Sequence, residues 1–162
     1  MILTRNTANA MQLSTRAAAA AGLAVVAARL LHLEFPLYAM IAAVIVTDLA
    51  PKRTRQLALP RLVGTVIGAA LGAALSQSGP PSIGLLVVGV FAAMFLPQVL
   101  RVHDAAKLAG YVCGIVLLEH GDGAWTYAVY RLVETVLGIG IAVLVSLVPK
   151  LMADGKPAES RS

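Results

Sequence analysis

The chain has 162 residues, 59% of them apolar and 13% charged, and its mean hydropathy is +0.82. Globular proteins carry about 25% charged residues, so the composition argues against a soluble enzyme or binding domain. The net charge of +5 comes with only three Phe, one Trp and four Tyr, too few to stack nucleic-acid bases, and the single Cys113 excludes a disulfide framework or a multi-cysteine metal site.

Six apolar runs predict six membrane-spanning helices. A span needs about 17–25 residues, because a helix rises about 1.5 Å per residue and the hydrocarbon core is about 30 Å thick. The runs are, in chain order, 17–33, 36–50, 62–76, 82–96, 105–118 and 125–148. The break from Pro51 to Pro60 is predicted to be a loop. Residues 1–16 are then a cytoplasmic N-terminal segment, 17–149 the transmembrane domain and 150–162 a disordered cytoplasmic tail.

Lysine and arginine occupy alternate breaks, which predicts the orientation of the chain. Eleven of the 13 basic residues lie in the segments 1–16, 51–61, 97–107 and 149–162. The intervening turns contain none. Since short loops rich in Lys and Arg stay in the cytoplasm, both termini are predicted to be cytoplasmic. A signal peptide is the competing interpretation, and Arg29 after the first apolar run argues against it.

Two segments 70 residues apart share a motif. Arg61-Leu-Val-Gly-Thr-Val-Ile-Gly68 and Arg131-Leu-Val-Glu-Thr-Val-Leu-Gly138 agree at Arg, Leu, Val, Thr, Val and Gly. By the charge assignment, the third helix starts inside and the sixth starts outside. The sequence therefore predicts an all-α integral membrane protein built as a 3+3 inverted-topology repeat, an architecture common among transporters. Chance similarity between apolar helices is the alternative.

Small residues at four-residue spacing predict close helix packing. On the third and sixth helices they are Gly64, Gly68, Gly72 and Gly138.

Three arginines are candidates for binding a carboxylate, because ionisable groups are costly in hydrocarbon unless they are paired or hydrated. Arg131, Arg29 and Arg61 each present a planar guanidinium that a carboxylate can meet bidentately. For each there is a structural alternative. Arg29 can snorkel to the headgroups, Arg131 can pair with Glu134, and Arg61 can serve only as a topology signal.

Other polar and aromatic residues are weaker candidates. Tyr38 and Tyr111 lie on corresponding helices and are candidates for stacking on an aromatic substrate. Glu134 and Asp48 are candidates for proton coupling, with an ion pair and a helix cap as the alternatives. An interfacial aromatic belt is predicted at the start of the sixth helix, from Trp125, Tyr127 and Tyr130. No nucleophile–base set or nucleotide-binding loop occurs, so neither catalytic residues nor enzyme activity are predicted.

Four stretches resemble the FUSC superfamily of fusaric acid resistance and aromatic acid exporter proteins. They read AAAAAGLAVVAA at 17–28, FPLYAMIAAVIVTD at 35–48, RLVGTVIGAALGA at 61–73 and YRLVETVLGIGIAVLVSLV at 130–148. The most specific pieces are the two Arg-x-x-x-Thr-x-x-Gly motifs. The resemblance implies an inner-membrane module of six helices that forms a homodimer and exports aromatic or other organic anions.

The sequence thus predicts a transporter in a bacterial inner membrane that exports small organic anions, and the resemblance points to aromatic carboxylates. A proton gradient or the membrane potential would drive it, because no ATP site is present. The alternatives are an anion channel or facilitator, and a non-transporting scaffold or accessory subunit. Expected partners are membrane lipid, the organic anion and a second copy of the chain. Neither a cofactor, a metal nor nucleic acid is expected.

Overall fold

The computed structural model describes residues 2–80, 82–119 and 123–148. In these ranges the chain forms six α-helices, with a turn of 3-10 helix at His103–Ala105 before the fifth. The helices are α1 (Ile2–Leu30), α2 (Pro36–Val46), α3 (Pro51–Ser76), α4 (Ile83–Val99), α5 (Ala106–Glu119) and α6 (Ala124–Leu147). The described ranges contain no strand, so the predicted all-α class is confirmed. The predicted disordered tail lies outside the described residues.

Three of the six helices, α1, α3 and α6, are long and apolar enough to cross a bilayer. The others are shorter, with 11 residues in α2, 17 in α4 and 14 in α5. At about 1.5 Å per residue, α2 spans about 16 Å of a hydrocarbon core about 30 Å thick. Of the short helices, α2 packs on α1 and α6, and α4 and α5 pack on each other and on α3. The six predicted runs therefore correspond to three helices of spanning length and three shorter ones.

The predicted loop at 51–60 is wrong, because this stretch is the first part of α3. Pro51 occupies the first turn of α3 and Pro60 lies inside the helix. A proline in the first turn lacks only an N–H group that would have no helical partner. Pro60 removes one hydrogen bond to the carbonyl of Gln56, which lies on an exposed turn of the helix. Similarly, α1 runs without a break through position 17, where the first span was predicted to begin.

The ends of α1 and α4 are closed by the same type of turn. The N–H of Leu33 donates to the carbonyl of Ala28 at 2.9 Å, and the N–H of Val102 donates to the carbonyl of Pro97 at 2.8 Å. In both turns the residue before the donor is left-handed, with φ of 52° and 60°. Such a turn satisfies carbonyls that a helix end leaves free. The first and fourth helices therefore end in the same type of turn, with a left-handed residue after the helix.

Glycines set the closest contacts between helices. A Cβ at Gly68 would collide with the carbonyl oxygen of Ala109 in α5, and a Cβ at Gly138 would collide with the carbonyl oxygen of Ala39 in α2. The same face of α3 also meets α5 at Gly64 and Gly72. Without side chains at these positions, α3 lies directly on the backbone of α5, and α6 on that of α2.

Candidate functional site

Helices α3 and α6 meet at two buried threonines. The hydroxyl of Thr135 donates to Oγ1 of Thr65 at 3.5 Å. Each threonine follows a motif arginine by one turn, and Thr65 Oγ1 also donates to the carbonyl of Arg61 at 2.9 Å. Arg131 lies beside the start of α2, whereas Arg61 shares a cavity with Ile45 near the end of α2. The two motif arginines therefore lie on either side of the threonine contact, each about one helical turn from it, and their charges act on each other.

Arg61 is a buried cation at the edge of a cavity of about 410 Å³, here called the Arg61 cavity. The cavity is lined by Ile45, Arg53, Leu57, Pro60, Arg61, Asp104, Lys107, Leu108 and Tyr111. The Arg61 side chain is 4% exposed, and its Nη1 donates to the Tyr111 hydroxyl at 2.6 Å. Its Nε is buried and has no hydrogen-bond partner among the described residues. Tyr111 is 43% exposed as a residue, and its ring centroid lies 5.9 Å from the guanidinium carbon of Arg61.

The Arg61 cavity has a surplus of positive charge. Arg53 and Lys107 line it together with Arg61, and the carboxylate of Asp104 is the one acidic group among its lining residues. Arg53, Lys107 and Asp104 are exposed, whereas Arg61 is buried. Charges of one sign in a cleft with low-dielectric walls raise the local concentration of oppositely charged ligands. The cavity can therefore attract an anion at its exposed cations and hold it at the buried one.

Arg131, on the other side of the threonine contact, lies against the ring of Tyr38. It is 1% exposed, and its guanidinium carbon is 3.5 Å from the centroid of the Tyr38 ring. Tyr38 belongs to a group of rings, here called the aromatic cluster, that consists of Phe35, Tyr38, Tyr127 and Tyr130. The hydroxyl of Tyr127 donates to that of Tyr38 at 2.7 Å. The cation–π contact with Tyr38, whose ring packs against the other rings of the cluster, therefore helps to bury the Arg131 side chain away from solvent.

Glu134 is fully buried one turn after Arg131. Its Oε1 accepts a hydrogen bond of 2.8 Å from the backbone N–H of Phe35. Within the described part of the chain, its Oε2 has no hydrogen-bond partner, nor do Nε and Nη1 of Arg131. The carboxylate is thus hydrogen-bonded to the start of α2, and not to the arginine that sequence spacing offers as its partner.

The remaining sequence candidates lie elsewhere. Arg29 is exposed in the last turn of α1. Asp48 closes the turn between α2 and α3, because its Oδ1 accepts from the N–H of Ala50 at 3.1 Å. The aromatic belt is wrong for Tyr127, whose side chain is 2% exposed and belongs to the aromatic cluster, whereas Trp125 is 51% exposed.

Arg16 has a structural role that its position in the sequence did not reveal. It is 4% exposed and donates to two backbone carbonyls, from Nη1 to Leu49 at 2.8 Å and from Nη2 to Val148 at 2.9 Å. Val148 is the C-cap of α6, where a helix leaves acceptors unpaired and the helix dipole favours a cation, and Leu49 lies in the turn between α2 and α3. One side chain of α1 therefore joins this turn to the end of α6.

A family model described as fusaric acid resistance protein-like matches residues 23–145. The matched range includes both arginine motifs, the Arg61 cavity and the aromatic cluster. Neither the curated proteins nor the solved structures yield a match.

Proposed function

Because the chain belongs to the fusaric acid resistance protein-like family, a family of membrane transporters, we propose that it exports small organic anions, aromatic carboxylates among them. The Arg61 cavity carries this proposal. Its volume of about 410 Å³ falls within the range of about 300–1,000 Å³ found for small-molecule sites. Arg61 supplies a buried cation for a carboxylate, and the exposed ring of Tyr111 supplies a face for an aromatic substrate.

The route for the anion runs between the motif arginines, along the contact of α3 with α6. Thr65 and Thr135 provide hydroxyl groups midway between the two cations. An inverted repeat of two three-helix halves would generate this arrangement. It is supported by the pairing of Gly68 with Ala109 and of Gly138 with Ala39, since both residues of one pair are 70 positions from those of the other. The matching ends of α1 and α4 support it further.

The Arg61 end faces the cytoplasm in this proposal, with both chain termini on the same side of a bacterial inner membrane. The support is the positive-inside rule, because Arg16, Arg53 and Lys107 all lie toward the helix ends at this side. The cavity is then accessible from the cytoplasm while the aromatic cluster closes the outer end. A binding site accessible from one side at a time is what alternating access requires.

Energy coupling and assembly complete the proposal. A proton gradient or the membrane potential drives export, and Glu134 is the candidate for proton coupling because it is a buried carboxylate beside the route. Asp48 is the weaker candidate, since its carboxylate already serves the turn before α3. The homodimer rests on the resemblance to the superfamily.

The test is a flux assay on purified protein reconstituted in liposomes. Radiolabelled benzoate and an aliphatic carboxylate are loaded inside, and efflux is followed under an imposed pH gradient or an imposed voltage. Protein-dependent efflux that rises with the pH gradient supports the exporter. Efflux that follows voltage alone would support the channel alternative. A folded protein that moves none of these anions, and that co-purifies with a partner, would support the accessory-subunit alternative.

A further inference from the structure

The charged residues of the Arg61 cavity lie on two facing walls. One wall is α3, from which Arg53, Leu57 and Arg61 line the cavity at four-residue spacing. Residues at this spacing share one face of a helix, so the Cα atoms of Arg53 and Arg61 are about 12 Å apart along the axis. The other wall consists of the 3-10 turn and α5, which contribute Asp104 and Lys107. The cavity is therefore an elongated cleft between two elements.

The cations of this cleft differ in depth. Arg61 is buried, and its Nε has no hydrogen-bond partner among the described residues. Arg53 and Lys107 are both exposed. Buried polar groups in proteins are nearly always hydrogen-bonded, so a carboxylate bound at Arg61 would supply an acceptor that the guanidinium lacks. A second anionic group of the same ligand can then be paired only at the two exposed cations.

The cleft carries more positive charge than a monocarboxylate can neutralise. Its described lining includes three cations, on Arg53, Arg61 and Lys107, and one carboxylate, on Asp104. The surplus is two positive charges. A monocarboxylate cancels one of them and a dicarboxylate cancels both. Since charge complementarity between a ligand and its site gives specificity, the lining favours a dianion.

Tyr111 restricts the shape of a ligand that binds at Arg61. Its hydroxyl accepts the hydrogen bond from Arg61 Nη1, which holds the ring and the buried cation side by side. An aromatic ligand that packs on the exposed Tyr111 ring can place one carboxylate at Arg61. A second carboxylate on the opposite side of the ligand ring then points away from Arg61. The arrangement therefore suits a rigid ring with its two charges far apart.

We propose that the ligand of the Arg61 cavity is an aromatic dicarboxylate, with one carboxylate at Arg61 and the other at the exposed cations Arg53 and Lys107. The inference rests on the proposed function and narrows its substrate class from organic anions in general to dianions. Ion pairs between exposed groups contribute little each. Arg61 thus supplies most of the affinity, and the two exposed cations supply the preference for a second charge.

The test compares ligands that differ in one charge, using titration calorimetry on the purified chain in detergent. Terephthalate carries two carboxylates on opposite sides of its ring, and its monomethyl ester keeps the ring and the length but carries one. Terephthalate should bind about tenfold more tightly than the ester, since two exposed pairs are added. Added salt should reduce this ratio, because exposed pairs are screened. Equal affinities in the wild-type protein would overturn the inference and leave the proposed function standing.

A ligand of equal charge separates two-point binding from attraction by net charge. Phthalate carries two carboxylates on adjacent ring positions, so it cannot direct one of them away from Arg61. It should therefore bind more weakly than terephthalate. Equal affinities for phthalate and terephthalate would overturn the inference. A wild-type protein that binds none of these ligands, benzoate included, would overturn the proposed function and this inference with it.

Variants at exposed positions locate the second carboxylate. Arg53→Gln combined with Lys107→Gln should lower the ratio of terephthalate affinity to ester affinity to about one. Asp104→Asn should raise this ratio, because it removes the acidic group from the lining. Arg55→Gln is the control, since Arg55 is exposed on α3 but does not line the cavity, and it should keep the wild-type ratio. An unchanged ratio in the folded Arg53→Gln, Lys107→Gln variant would overturn the inference.

Discussion

The two motif arginines occupy the same place in the repeated sequence but differ in their surroundings. Arg61 lines a cavity of about 410 Å³ that has an excess of positive charge. Arg131 lies under the Tyr38 ring, with the carboxylate of Glu134 one turn away. The backbone contacts that follow the two arginines are alike, because α3 and α6 each pack through a glycine on the backbone of an alanine. The side chains around each arginine, and not the backbone contacts, therefore make Arg61 line a cavity and bury Arg131 under a ring.

The largest effect on benzoate efflux is expected when Arg61, the arginine that lines the cavity, is replaced. Arg61→Gln should lower protein-dependent benzoate efflux by about 10-fold to 100-fold, because a hydrogen-bonded charged group contributes about 1.5–3 kcal/mol. Efflux from liposomes is the measurement. Arg55→Gln is the matched control, since it removes the same charge from an exposed position of α3 that does not line the Arg61 cavity. Equal efflux from the two variants would contradict the role of Arg61.

The two glycine contacts are expected to contribute to stability in the same way. Gly68→Ala and Gly138→Ala should each lower the thermal unfolding midpoint in detergent by about 5 °C or more, because the added methyl group meets a backbone carbonyl. Gly140→Ala is the control, since a Cβ there meets nothing within 4 Å. If Gly138→Ala melts like Gly140→Ala, the close contact of α6 with α2 is wrong.

A smaller loss of stability is expected at Arg16. Arg16→Gln removes two charged hydrogen bonds to the carbonyls of Leu49 and Val148. Water can replace part of these contacts, so the unfolding midpoint should fall by about 4 °C. The neighbouring substitution Thr15→Ala serves as the control, because the Thr15 hydroxyl bonds only within its own helix, to the carbonyl of Met11. An unchanged midpoint for Arg16→Gln would show that these two hydrogen bonds contribute nothing to stability.

The smallest effect is expected from single hydroxyl groups. Tyr111→Phe removes the acceptor of Arg61 Nη1 but keeps the ring, and should weaken benzoate binding by about threefold to tenfold. Tyr38→Phe removes a hydroxyl contact at the sealed end and should leave benzoate binding unchanged. Titration calorimetry compares the two. A larger effect from Tyr38→Phe would place the occupied site at the Arg131 end instead.

The sequence predicted the helical class and the approximate positions of the six helices, because hydropathy is a local property of the chain. It failed at 51–60, since a proline in the first turn of a helix and one within it read the same as prolines in a loop. The sequence also did not predict the length of each helix. Apolar runs of similar hydropathy proved to be long helices in some cases and an 11-residue helix in another.

Partners across helices were the least predictable part of the site. Spacing within α6 suggested that Glu134 pairs with Arg131, yet its hydrogen bond goes to Phe35 in another element, which depends on how α2 packs. Arg53 and Lys107 read as topology signals and also line the Arg61 cavity. The one available clue was the exchange of Gly64 for Glu134 between the two motif copies, since it introduces a charge at a buried position.

The central claim, that an organic anion binds in the Arg61 cavity, is tested most directly by protection of a cysteine. In a Cys113→Ala background, Leu57→Cys places a thiol in the cavity lining, and Leu59→Cys places one on an exposed position two residues away that does not line it. Both are labelled with a water-soluble maleimide, with and without benzoate. We expect benzoate to slow labelling at position 57 and not at position 59. Equal labelling rates at position 57 with and without benzoate would contradict the claim.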